Sequence, residues 1–133
     1  MSVPVAQISE HVVSRWVDAF NGRDLDGMLA CLGAEVRFHP LRLSGLAAAY
    51  HGHDGVRVWF AQLRRLRHEH RIVVSDARAV GEEQVIAVGS LSLAGEPDIG
   101  PFCGLHRLAG GLIVAAHHYL TDPDMIEYLG LVP

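Results

Sequence analysis

Apolar residues recur along the first third of the chain at helical spacing, and later at strand spacing, so the order of elements can be read directly. Val12, Val13, Trp16, Val17 and Phe20 fall on one side of a helix that stops at Asn21-Gly22, with Ser9 as its expected N-cap. Asp24 is placed to cap a second, short helix carrying Leu25, Met28, Leu29 and Leu32, with Gly33 as its expected left-handed stop. Val36 to His39 is partly β-branched and aromatic and runs into Pro40, which disfavours helix at the preceding residue, so a short strand is predicted. An irregular stretch, Leu41 to Tyr50, follows. Gly52-His53-Asp54-Gly55 then opens a third helix with Val56, Trp59, Phe60, Leu63 and Leu66 on one side. Asp54 near its start and Arg64, Arg65 and Arg67 near its end complement the helix dipole.

From Arg71 onward the period changes. Four strand-like segments run from Arg71 to Val80, Gln84 to Leu93, Pro101 to Leu108 and Leu112 to Leu120, separated by turn-forming stretches rich in glycine. They predict an antiparallel meander, ended by Asp122-Pro123-Asp124, with a closing helical turn over Met125 to Leu129. Helices first and sheet afterwards makes the fold class α+β, with the helices packed on one face of the sheet.

Composition narrows the partners. A chain of 133 residues, half of them apolar, is the size of one domain with one core, so a single domain spanning residues 1–133 is expected. The net charge is −4 and the basic residues form no stripe, which argues against nucleic acid. No segment approaches the roughly 20 apolar residues of a membrane span and no signal-like start is seen, so a cytoplasmic protein with no membrane partner is expected. Cys31 and Cys103 fall inside apolar patterns and read as small buried hydrophobes. The pairs His51/His53 and His68/His70 lie at helix boundaries and read as solvated polar residues.

The run from Val12 to Met28, with Asn21-Gly22-Arg23-Asp24-Leu25-Asp26-Gly27 at its centre, resembles the opening of the nuclear transport factor 2-like superfamily, especially its SnoaL-like and ketosteroid isomerase-like branches. Tyr50 to Phe60 is similar to the entry of that family's third helix. The resemblance covers about Ile8 to Leu120 and implies a cone-shaped fold, three N-terminal helices on a curved, mainly antiparallel sheet that encloses a cavity. It also implies a homodimer, and the apolar outer face of the central strand agrees with a partner there.

Site residues follow from the resemblance position by position. Ketosteroid isomerases keep a carboxylate base before a proline after the second helix, and His39 stands there. Their tyrosine and protonated aspartate, which stabilise an enolate oxygen, align with Trp16 and Gly104, which cannot reproduce the pair. If Gly104 faces inward, strand alternation brings Phe102, His106 and Leu108 inward with it, and the same alignment turns Ala116, His118 and Leu120 inward. A shift of one residue would exchange His117 for His118. The expected catalytic cluster is therefore His39, His106 and His118. An apolar wall of Trp16, Phe20, Met28, Tyr50, Trp59, Phe60, Leu63 and Phe102 would bind the ligand.

A neutral imidazole carries one donor and one acceptor and an ordinary pKa suited to moving protons near neutrality. The expected function is acid/base chemistry of isomerase or cyclase type on a hydrophobic carbonyl compound, with no metal and no cofactor. The alternative is a binding or interaction module that keeps the pocket without the chemistry.

Overall fold

A computed structural model describes residues 5–41, 46–66, 69–93 and 96–121. Its helices are α1 (Val5–Asn21), α2 (Leu25–Ala30) and α3 (Gly52–Leu63). The strands are β1 (Leu32–His39), β2 (Tyr50–His51), β3 (His70–Val80), β4 (Gln84–Leu93), β5 (Glu96–Ala109) and β6 (Leu112–Tyr119). They form one six-stranded sheet in the order β2-β1-β6-β5-β4-β3. The meander β3 to β6 is antiparallel, as its turns predict, and β1 joins it by running parallel to β6.

The helices bury their apolar stripes against one face of this sheet, where Trp16, Met28, Phe38, Trp59, Ile72, Leu91, Phe102 and Ile113 are almost completely buried. Register shifts interrupt the ladders between Val74 and Asp76, Leu91 and Leu93, and Arg107 and Leu108. Each such irregularity adds local twist and bend. Gly89 belongs to the first of them: a Cβ there would lie 1.8 Å from the Val73 carbonyl oxygen, so only glycine admits this approach. No helix among the described residues is long and apolar enough to cross a membrane.

The Asn21-Gly22-Arg23-Asp24 run has a definite task. Asn21 pairs with the backbone of Ile72 through its side-chain amide, donating to the carbonyl and accepting from the N–H, both at 2.8 Å. The edge strand β3 thereby finds a partner at the end of α1. Arg23, in left-handed conformation (φ 52°), donates to the carbonyls of Phe20 (2.9 Å) and His70 (2.8 Å) and lies over the Phe20 ring. Burial lowers its pKa, with Glu69 opposing and Arg71 adding to that shift. Asp24 caps α2 by accepting from the Gly27 N–H at 3.0 Å, as predicted.

Several boundaries differ from the sequence expectation. Helix α1 begins at Val5, so Ser9 lies inside it and is not its cap. Cys31, in ordinary helical conformation, ends α2; Gly33 lies within β1, where a Cβ would sit 3.2 Å from Val114. β1 is thus longer than Val36 to His39. β2 is too short to leave a periodic signal, and it enters α3 through Gly52 at φ +68°. β5 begins at Glu96, ahead of the predicted Pro101, and Leu120 follows the end of β6 and is 47% exposed rather than inward. Met125 to Leu129 lie outside the described residues.

Candidate functional site

Between α1, α3 and the inner face of the sheet lies a narrow pocket. Phe20 from α1, Trp59 and Leu63 from α3 and Ile72 from β3 form its apolar walls. Pro40, Leu41 and Leu46 close one side, and His70 and His118 supply the polar groups. These side chains leave room for about a single water molecule. A larger ligand requires the walls to move apart.

Strand alternation places the histidines. Gly104 and Ala116 face inward together with Phe102, His106 and His118, because β5 and β6 pair Gly104 with His118 and His106 with Ala116. His118 is 7% exposed and His106 2%. Their ring centroids are 5.6 Å apart, and His118 also meets the edges or faces of Trp16 (5.1 Å), Phe38 (5.6 Å) and Phe102 (5.2 Å). Gly104 makes this arrangement possible. A Cβ on Gly104 would lie 2.7 Å from His106 Cε1 and 3.2 Å from Phe102 Cζ, so the imidazole occupies space that any side chain would take.

His39 does not join them. Its neighbour Phe38 points inward against Trp16, Trp59 and His118, so His39 points to the other side of the sheet. There it pairs in register with His117 and stacks on it at 4.0 Å. The expected triad of His39, His106 and His118 is therefore a pair, His106 and His118. The period-two alternation of β1 turns the position before Pro40 outward once Phe38 takes the core.

Of the expected apolar wall, Phe20, Trp59 and Leu63 line the pocket. Trp16 and Phe102 form the layer behind it, in ring contact with His118. Met28, Tyr50 and Phe60 are buried in the core without lining it, and the Tyr50 hydroxyl is held by Ala47 N–H and Gln62 Oε1. Pro40, Leu41, Leu46, Ile72 and His70 were not anticipated. Ile72 follows from the inward parity of β3. Leu46 belongs to a stretch without any period. His70 read as a solvated boundary residue, yet it is 8% exposed, because its carbonyl and that of Phe20 are drawn together by Arg23. His51 does remain exposed, beside Glu35, and His53 donates from Nε2 to the Leu32 carbonyl at 2.9 Å.

The electrostatics of the inner pair follow from burial. His106 is pushed down to about 4 by loss of water, and its Nδ1–H donates to the Val85 carbonyl at 3.3 Å. Since a carbonyl can only accept, this bond fixes the neutral tautomer and leaves a lone pair on Nε2. His118 is held well below its ordinary value by burial, and then by His106 and His117. Both rings are neutral at physiological pH. Trp16 Nε1, Trp59 Nε1, His106 Nε2 and His118 Nε2 are buried and have no hydrogen-bond partner among the described residues. Among those residues no three His, Cys, Asp or Glu side chains converge so as to hold a metal ion.

Comparison with known proteins places this geometry. The signature of the SnoaL-like domain matches residues 13–116. No curated protein matches the sequence. Among solved structures, an NTF2-like protein of unknown function from Burkholderia pseudomallei is 27% identical, with a TM-score of 0.71 over 96% of this chain and 97% of that one. A candidate polyketide cyclase from Xanthomonas campestris is 18% identical, with a TM-score of 0.72 over 98% of this chain and 100% of that one. A candidate ketosteroid isomerase from Kribbella flavida is 15% identical, with a TM-score of 0.65 over 88% of this chain and 80% of that one. The last two likenesses are of fold. A sheet that carries its inward histidines beneath the apolar faces of α1 and α3, and a signature that runs from Val13 to Ala116, make this chain a member of the SnoaL-like domain family within the NTF2-like superfamily.

Proposed function

We propose that the chain binds a small, flat, mainly apolar carbonyl compound between α1, α3 and the sheet, and that His118, backed by His106, moves a proton on it. The observation that carries this reading is the buried, unpartnered Nε2 of His118 in the wall of a mainly apolar pocket that His70 also lines. A buried polar atom without a partner costs about 1–3 kcal/mol, so its retention calls for an explanation outside the fold. The near-parallel rings of Phe20 and Trp59, both in the pocket wall, suit a flat ligand.

The neutral state of the pair sets the direction of chemistry. At physiological pH a neutral imidazole begins as a proton acceptor, so His118 takes a proton from the position beside the carbonyl and returns it to a neighbouring atom, as an isomerase or cyclase requires. Burial makes His118 a weak base in the free protein. Negative charge developing on the ligand in so dry a site raises the affinity of His118 for the proton.

Hydrogen exchange tests the proposal. In deuterated buffer the protein should accelerate exchange of the protons beside the carbonyl of 2-tetralone, and His118→Phe should return the rate to that of buffer. A second reading, binding without turnover, is favoured by the low pKa of His106, about 4. Saturable binding with exchange at the buffer rate would establish that second reading in place of the first.

We also infer that a second copy of the chain covers the outer sheet face. Cys103 and Leu105 are buried there beneath half-buried Ile86, Val88 and Tyr119, an apolar patch away from the helices. A monomeric mass by sedimentation at micromolar concentration would overturn this inference.

A further inference from the structure

The nitrogens left without partners differ in what they can accept. Trp16 and Trp59 offer indole N–H groups, which only donate, and a ketone oxygen satisfies either of them. His106 is different. Its Nδ1–H is committed to the Val85 carbonyl, so its unpartnered Nε2 can only accept. A ketone has nothing to give it. The ring lies over Gly104, with Nε2 3.3 Å from where a Cβ would be, directly behind His118.

We infer that the ligand carries a hydroxyl besides its carbonyl, a phenol or enol on a compact ring system, and that His106 Nε2 is the acceptor that selects it. This assignment rests on the pocket reading above and adds to it a specificity-determining residue. The ligand enters with its hydroxyl leading, displaces the wall at His118 enough to reach the next ring, and leaves its apolar body against Phe20, Leu63 and Ile72. A site that holds a buried hydrogen-bonding group rejects an analogue lacking the matching group far more strongly than one lacking a methylene, because the buried group is then left unpaired.

Three bicyclic probes separate the possibilities by titration of tryptophan fluorescence: 6-hydroxy-1-tetralone, its 6-methoxy ether, and unsubstituted 1-tetralone. The hydroxy compound is expected to bind at least about tenfold more tightly than either of the others, which lack the donor. In His106→Phe, which keeps a ring and removes the acceptor, the advantage of the hydroxy compound over its ether and over 1-tetralone should vanish. In the unaltered protein, the 15N resonance of His106 Nε2 should move on binding of the hydroxy compound and stay in place with the ether. That measurement needs no variant. Equal affinities for the three, or an unmoved His106 resonance, would overturn the hydroxyl assignment and leave the pocket standing. Failure of all three to bind would remove the pocket reading itself, and the hydroxyl assignment with it.

Discussion

His39 and His117 stack face to face with ring centroids 4.0 Å apart and planes 10° from parallel, on the side of the sheet away from His118. Each is half-buried, and burial followed by the neighbouring His39 lowers the pKa of His117. Adjacent residues on β6 thus serve opposite faces: His117 belongs to the outer surface with Tyr119, His118 to the pocket.

Exchanging these histidines for alanine should separate the faces. His39→Ala should leave ligand affinity within about twofold of the unaltered protein, whereas His118→Ala should weaken it by about tenfold or more, the loss of one hydrogen bond and its ring contacts. Titration of a tetralone against both variants checks this. Equal losses in the two would mean that His39 reaches the pocket.

Acidification should destabilise the fold through the inner pair. The folded-state pKa of His106 is about 4, below the ordinary 6.5, so between those values the unfolded chain holds a proton that the folded chain does not. The contribution is complete above about pH 6.5 and is lost as the pH falls toward 4. For His106 alone the loss is on the order of 3 kcal/mol, and His118 acts in the same direction. Urea midpoints at pH 7 and pH 5 read the part lost between 6.5 and 5, about 2 kcal/mol, and equal midpoints would show that the rings are not buried neutral.

Asn21 should matter to stability although it touches no ligand. Its amide completes both backbone groups of Ile72, on the edge strand that forms one wall of the pocket. Asn21→Ala leaves that donor and acceptor in part-buried surroundings and should cost about 2 kcal/mol. Asn21→Asp keeps the acceptor for the Ile72 N–H but sets a carboxylate against the Ile72 carbonyl, so it should not restore the loss. Chemical denaturation of the two variants checks both statements.

How far the sequence reveals this site depends on the kind of signal each residue leaves. Trp16, Phe20, Trp59 and Leu63 announce themselves through helical spacing, and the inward set Phe102, Gly104, His106 and His118 through alternation along two regular strands. His39 failed because β1 is bounded by its contacts rather than by composition. Composition starts the strand at Val36 whereas it begins at Leu32, and only the packing of Phe38 against Trp59 decides which face receives His39. Leu46 and His70 carry no periodic signal, and it is the turn geometry of Arg23 that draws His70 toward the pocket. The tautomer of His106 depends on the Val85 carbonyl, 21 residues away, which spacing alone cannot show.

Replacing His118 by phenylalanine should make the free protein more stable. The imidazole sits among Trp16, Phe38 and Phe102 with Nε2 unpartnered, so the fold carries the desolvation of a nitrogen that receives no hydrogen bond within the chain. A phenyl ring keeps the edge-to-face contacts and removes that cost, for an expected gain of about 1 kcal/mol and a rise of a few degrees in Tm. The same change should abolish acceleration of proton exchange on 2-tetralone. Stability gained with activity lost is the behaviour of a side chain kept for its ligand. A variant that is less stable than the parent would instead mark His118 as a structural member of the aromatic cluster.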